Sequence, residues 1–211
     1  MVVIQLNNRC IICRVPCSVS STCTFCASAI QSLRNVEASI IDNSVPLVVF
    51  YRYDEPIRQV ILDAKVNGSL PAIAYLRSLW LDSLLTLPSL FQNSLVMSAS
   101  SSLWSRVRGR TDLASLLARD LALQIDARLI RAPWYLGWRY KKRSRLGSRH
   151  QREVLNQDSA KPSIHVHSPL RLSRPLYLVD DIVTTGFTML QLVNSVSSPS
   201  ISALALAGVS S

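Results

Sequence analysis

The stretch Leu176–Thr188 constrains the fold of this chain more than any other part of the sequence. It reads Leu-Tyr-Leu-Val-Asp-Asp-Ile-Val-Thr-Thr-Gly-Phe-Thr. The apolar run Leu176–Val179 is typical of a buried strand, and it is followed by two acids and a turn rich in hydroxyls that opens into a helical pattern. Open α/β sheets bind their ligands beyond the carboxyl ends of the strands. The pattern therefore predicts a strand whose carboxyl end carries a ligand site.

Both halves of this stretch suit a ribose 5-phosphate. Asp180 and Asp181 supply carboxylates that can accept hydrogen bonds from ribose hydroxyls. The turn supplies backbone N–H groups, hydroxyls and the start of a helix to a phosphate, and its glycine lacks a Cβ that would block close approach. The predicted phosphate-binding residues are Thr184, Thr185, Gly186 and Thr188. The alternative is a strand that ends in an ordinary acidic turn with threonine caps.

All five cysteines lie within the first 26 residues. Four of them form two Cys-x2-Cys pairs, and two such pairs can hold one tetrahedral zinc ion. These predicted metal ligands are Cys10, Cys13, Cys23 and Cys26. Four thiolates leave no open coordination position, so the zinc would be structural. Two disulfides are the alternative, and Cys17 is either a bystander or a replacement ligand.

Charge and hydropathy narrow the class of protein. The chain has 23 Lys and Arg against 13 Asp and Glu, a net charge of +10, with 48% hydrophobic residues. The excess of cations favours an anionic partner, either a phosphorylated substrate or nucleic acid. Polar residues interrupt the most apolar region, Leu70–Leu103, so we predict no membrane span. The N-terminal residues lack a secretion signal, and we expect a cytoplasmic protein.

The middle of the chain alternates between strand and helix patterns, as expected for an α/β fold. The helix patterns place apolar residues at helical spacing, and Asn67-Gly68 predicts the end of the first helix. The predicted elements are a strand at 45–50, helices at Pro56–Lys65, Ser69–Leu85 and Leu113–Ile125, and short strands at Ser94–Met97 and Ser163–His167.

The densest cationic run is Tyr140–Arg152, which follows the aromatic residues of 134–140. Interleaved basic and aromatic residues can bind single-stranded nucleic acid, with Lys141, Lys142 and Arg143 as candidate contacts. A basic loop of this kind can also close over a diphosphate, or it can be a plain exposed loop. The three histidines show no metal-binding arrangement, and we assign them no catalytic role.

These segments, in this order, resemble the ComF family of competence-associated proteins related to type I phosphoribosyltransferases. The stretch Val179–Thr188 resembles the phosphoribosyl-pyrophosphate (PRPP) signature of those enzymes. The other matching segments are the paired Cys-x2-Cys turns, Tyr51-x-Tyr53 with the helix that ends at Lys65, the turn Arg106–Asp112, and Ser148–Arg152.

The resemblance implies a type I phosphoribosyltransferase core at 45–211, a mostly parallel twisted sheet flanked by helices, behind a zinc-binding segment at 1–44. It further implies Mg²⁺ bound with PRPP, a role in DNA uptake, and single-stranded DNA and a competence helicase as partners. On this basis Asp180 and Asp181 bind the ribose. Lys65 and Arg108 contact the diphosphate, and Arg149 or Arg152 belongs to a closing loop.

The sequence departs from the family pattern around the diphosphate site. No proline occurs in Val96–Ser100, Arg110-Thr111 replaces Phe-Asn, and Leu155 stands where an Asn is expected. The alternative function is therefore a non-enzymatic, single-stranded-DNA-binding accessory of DNA uptake or recombination, with a vestigial PRPP site. A purine or pyrimidine salvage transferase is a third option.

Overall fold

The computed structural model describes residues 9–17, 22–41, 45–87, 90, 92–99, 111–132 and 169–209. In these ranges the helices are α1 (Thr24–Ser32), α2 (Ile57–Val66), α3 (Leu70–Leu84), α4 (Leu113–Gln124) and α5 (Phe187–Val193). The strands are β1 (Arg34–Ile41), β2 (Val45–Arg52), β3 (Leu95–Ser98), β4 (Arg128–Ile130), β5 (Leu170–Arg171), β6 (Leu176–Val183), β7 (Val196–Ser197) and β8 (Ile201–Gly208).

Six of these strands form one sheet in the order β1-β2-β8-β6-β3-β4. The strands from β2 to β4 in this order are mutually parallel, and β1 pairs antiparallel with β2 at the edge. Strands β5 and β7 form a separate parallel pair. The prediction of an α/β fold with a mostly parallel sheet flanked by helices is therefore confirmed.

Two clusters of buried apolar side chains cover the two faces of the sheet. Along β6, Tyr177 and Val179 belong to one cluster, whereas Leu176 and Leu178 belong to the other, as the alternation of side chains in a strand requires. The first cluster includes the buried faces of α1 to α4, and the second includes the buried side of α5. Each face of β6 is therefore attached to a different set of helices.

Helices α2 and α3 follow the predicted pattern closely. The residues predicted to form one face of α2, namely Ile57, Val60, Ile61 and Ala64, are buried. The helix ends at Val66, and Gly68 takes a left-handed backbone with φ +63° in the turn that follows. Helix α3 then begins after Ser69, whose hydroxyl accepts a hydrogen bond from the N–H of Ala72. The short turn sets the carboxyl end of α2 beside the start of α3.

Strand β6 is longer than predicted. The sequence suggests that it ends at Val179, but pairing with β8 continues to Val183. Asp180 pairs with Ala205 in this extension, and the small side chains of β8 leave room for a polar central strand. The two acids therefore lie inside the strand and not in the turn that follows it.

Several elements carry too weak a pattern for the sequence to predict them, among them α1, β1, β4 and β8. The predicted strand at 163–167 and the basic run at 140–152 lie outside the described residues. Residues 42–44, just before the predicted domain boundary at residue 45, also lie outside them. Among the helices in the described ranges, none is long and apolar enough to cross a membrane.

Candidate functional site

The strand order places a crevice at the carboxyl ends of β3 and β6. From β3 the chain continues through α4 to β4 on one side, whereas β6 continues to β8 on the other side. Strand order reverses at this point, and open α/β sheets bind ligands at such a position. Ser98 at the end of β3 is in register with Val179, and the N–H of Ala99 donates to the carbonyl of Val179 at 2.7 Å. Asp180 and Asp181 follow immediately.

Asp181 lies on the face of the sheet that α2 covers. It is buried, and Nζ of Lys65 lies 3.0 Å from its Oδ1 and 2.9 Å from its Oδ2. Lys65 belongs to the last turn of α2, and its side chain is 33% exposed. The predicted diphosphate contact Lys65 is therefore engaged by an acid of the candidate site itself.

Asp180 is also buried. Its Oδ1 accepts a hydrogen bond from the N–H of Asp181 at 2.8 Å. Burial raises the pKa of Asp180 well above its usual range, and the neighbouring charge of Asp181 raises it further. A bound cation or hydrogen-bond donors would favour its charged form. The two adjacent acids therefore have different surroundings.

The turn after β6 is open. Thr184 and Thr185 are exposed, and Gly186 has a left-handed backbone with φ +67°. That φ explains the glycine, and a Cβ added to it would meet no described atom within 4 Å. Helix α5, which includes Thr188, is only 7 residues long, so its dipole adds little. The turn can offer a phosphate mainly its backbone N–H groups and hydroxyls.

A pair of serines that sequence reasoning did not identify joins β3 to α4 beside this crevice. The hydroxyls of Ser98 and Ser115 lie 3.0 Å apart. Asp112 precedes α4, and its carboxylate accepts a hydrogen bond from the N–H of Ser115 at 3.2 Å. An Asp directly before an apolar helical pattern is the sequence signal of this N-cap.

The remaining predicted contacts cannot be placed in the crevice. The predicted diphosphate and loop residues Arg108, Arg149 and Arg152, and the predicted nucleic-acid contacts Lys141, Lys142 and Arg143, lie outside the described residues. Their roles stay predictions.

The four cysteines of the two Cys-x2-Cys pairs come together at the N-terminal end of the described chain. The sulfur atoms of Cys10, Cys13, Cys23 and Cys26 all lie within 4.8 Å of one another. Tetrahedral zinc with Zn–S bonds of about 2.3 Å requires sulfur atoms about 3.8 Å apart. All five cysteines are free thiols. The cluster, called the knuckle below (residues 10–13 and 23–26), can therefore bind a metal such as zinc.

Local backbone structure builds this knuckle. The N–H of Cys10 donates to the carbonyl of Val15 at 2.8 Å, and Arg14 closes the first turn with a left-handed φ of +63°. Cys23 caps α1, and its sulfur accepts a hydrogen bond from the N–H of Cys26. The thiol of Cys17 instead donates to the carbonyl of Val15 at 3.4 Å, and Cys17 is not a member of the cluster.

Acidity differs between the two buried thiols of the knuckle. Burial raises the pKa of Cys10, but backbone N–H donors, first among them that of Cys23, outweigh burial and bring this pKa to about 6. Burial raises the pKa of Cys26, and the neighbouring thiols raise it further. A metal ion would favour the thiolate form of both.

The chain matches no protein-family model, and it matches none of the curated proteins with which it was compared. Its function is therefore inferred from the geometry of its own residues.

Proposed function

We propose that this chain is a PRPP-binding, phosphoribosyltransferase-like protein of the ComF type, with a type I phosphoribosyltransferase core and a role in DNA uptake. One observation carries the proposal. A buried acid, Asp180, lies near the carboxyl end of β6, four residues before an open turn with a left-handed glycine, at the point where strand order reverses. This arrangement suits a ribose next to a phosphate.

In this proposal the acids bind the ribose of the ligand, and the turn binds its 5-phosphate. Asp180 and Asp181 accept hydrogen bonds from the ribose hydroxyls. The 5-phosphate is bound by Thr184, Thr185, Gly186 and Thr188. Mg²⁺ would accompany the diphosphate and offset its charge. The protein itself orients the ribose and supports departure of the diphosphate, so no covalent nucleophile is required.

The proposal assigns a structural Zn²⁺ to the knuckle. Four thiolates complete a tetrahedral shell and leave no position for a substrate. Free thiols at all five cysteines fit a reducing compartment such as the cytoplasm. We further propose that the zinc holds this small segment in place, because so short a segment cannot form a core of its own.

Calorimetry of PRPP binding, with and without Mg²⁺, tests the proposal. We expect Mg²⁺-dependent binding to the wild-type protein and a loss of at least about 100-fold in affinity in Asp180→Asn/Asp181→Asn, because charge-assisted hydrogen bonds to the ribose are lost. Asp120→Asn is the matched control, since Asp120 is equally buried but lies in α4. Undiminished affinity in a folded double variant would refute the site.

The second candidate is a single-stranded-DNA-binding accessory that keeps the fold. The observation in its favour is the net charge of +10, with a basic run at 140–152. Binding to single-stranded DNA that weakens steeply with salt, together with no PRPP binding, would favour this candidate. Charge reversal at Lys141, Lys142 and Arg143 should then reduce the salt dependence.

A further inference from the structure

Lys65 is the link between α2 and the acid pair. Its Nζ lies within 3.0 Å of both oxygens of Asp181, 116 residues away in the sequence. Among the described residues no other ion pair reaches either acid of the candidate site. The position of α2 therefore decides whether Asp181 has a compensating charge.

Helix α2 uses a second face to contact the knuckle. One face is buried in the apolar cluster on this side of the sheet, and the other, which includes Gln59, Leu62, Asp63 and Val66, lines a cavity of about 360 Å³ shared with Ile11 and Arg14. Ile11 lies between the first two cysteines of the knuckle and is buried in the same apolar cluster as the inner face of α2. Nη2 of Arg14 lies 3.8 Å from Oδ2 of Asp63.

The apolar contact is the stronger of the two attachments. The pair of Arg14 with Asp63 is long, and Arg14 is 63% exposed, so water weakens it. Ile11 and Ile12, by contrast, are each 8% exposed and belong to the same apolar cluster as the buried residues of α2. The turn that holds the cysteines thus also supports the helix that carries Lys65.

We infer that the knuckle positions Lys65 through Ile11 and α2, so that metal binding at the knuckle supports the acid pair of the ligand site. Ile11 is then a positioning residue for Lys65, and Lys65 is a positioning residue for Asp181. The ligand-binding consequence depends on the proposed function, whereas the coupling of the knuckle to Lys65 does not.

Lysine acylation measures this coupling without any ligand. The chain has only four lysines, at positions 65, 141, 142 and 161, so mass spectrometry can follow Lys65 separately after trace labelling with acetic anhydride. Rates are normalised to an added lysine peptide. An amine held by a buried carboxylate reacts slowly, and release from such a pair should accelerate acylation by roughly fivefold.

Two perturbations are compared. Ile11→Ala removes the apolar contact but keeps the four thiolates, and its matched control is Val15→Ala, a neighbouring residue that is 54% exposed. Metal removal by a chelator, confirmed by elemental analysis, is the second perturbation. We expect both Ile11→Ala and metal removal to accelerate acylation of Lys65 by roughly fivefold, Val15→Ala to leave it unchanged, and Ile11→Val to restore the wild-type rate.

The outcomes separate the two proposals. If Lys65 in Ile11→Ala reacts at the rate seen in Val15→Ala, the coupling is wrong. If metal-free protein loses its far-ultraviolet circular dichroism, it is unfolded, and the Ile11 variants alone then decide whether the coupling exists. PRPP affinity measured on the same variants should fall when Lys65 becomes reactive. Accelerated acylation without any PRPP binding to wild-type protein would uphold the coupling and refute the proposed function.

Discussion

The molecule contains two ion pairs of similar construction and different surroundings. In each pair a partly exposed cation on a helix binds a buried acid. Lys65 lies 2.9 Å from Asp181, and Arg77 lies 2.6 Å from Asp120. Arg77 and Asp120 connect α3 to α4 through two hydrogen bonds. Asp181, by contrast, adjoins a second buried acid and an open glycine turn.

The difference shows that burial of an ion pair does not by itself mark a functional site. Asp120 has its charge compensated by a bidentate guanidinium, and the pair fixes two helices. In the other pair one lysine faces two acids, so one carboxyl group has no cation of its own among the described residues. A buried carboxyl group without a cation of its own, followed in the chain by an open turn, is the feature that indicates a bound ligand.

The largest expected difference between the two pairs is in ligand affinity. Asp181→Asn should weaken PRPP binding by about 10-fold to 100-fold, because it removes a charge from the site. Asp120→Asn should change affinity less than about twofold, since the partner of Asp120 is Arg77 of α3 and not a residue of the acid pair. Calorimetry on both single variants checks this, and equal losses would mean that the two pairs do not differ in function.

The second-largest expected difference between the two ion pairs is in the free energy of unfolding. Arg77→Met leaves Asp120 buried without its partner, and we expect a loss of about 2–3 kcal/mol in the free energy of unfolding. Lys65→Met should cost less, about 1–2 kcal/mol, because the adjacent acids can share a proton. Urea unfolding at neutral pH measures both values. A larger loss in Lys65→Met would show that the acid pair cannot take up a proton.

The pH dependence of unfolding should reflect Asp180. Its pKa is raised in the folded protein by burial and by the charge of Asp181, whereas in the unfolded chain it is about 3.9. The stability that Asp180 contributes is therefore complete below about pH 4 and is lost as the pH rises through the folded pKa. Relative to Asp180→Asn, the wild-type protein should lose stability as the pH rises from about 4 through the raised pKa of the folded state. Thermal unfolding of Asp120→Asn serves as the control, and parallel curves for wild type and Asp180→Asn would contradict the raised pKa.

The smallest expected effect is at the glycine turn. Gly186→Ala and Gly68→Ala each place a Cβ on a left-handed backbone, at φ +67° and φ +63°, and each should cost about 1 kcal/mol of stability. Only Gly186→Ala should weaken PRPP binding, because Gly186 alone belongs to the turn proposed to bind the 5-phosphate. Equal affinities in the two variants would place the phosphate elsewhere.

Local patterns predicted the elements that have clear ends. Helices α2 and α3 follow from apolar periodicity, the Asn67-Gly68 stop and the Ser69 cap. Strand β6 was predicted too short, because the two acids interrupt its apolar run while pairing with β8 continues. Strand β8 itself, rich in alanine, has a composition that suits helix and strand equally.

The contacts that define the site could be predicted only in part. The acids, the glycine turn and the cysteines have characteristic spacing, and the structure brings the four cysteines together. The partner of Asp181 lies 116 residues away, and that of Asp120 lies 43 residues away. No local spacing encodes such pairs, since the order of strands and the packing of helices decide them.

Strand β8 follows the other strands in the sequence but lies inside the sheet, between β2 and β6. Before residues 201–208 leave the ribosome, the described strands of this sheet can form only two separate pieces, β1-β2 and β6-β3-β4. Contacts between residues so distant in sequence form slowly. We therefore expect one edge of β2 and one edge of β6 to stay unpaired until this strand is inserted, and unpaired strand edges are sites at which chains aggregate.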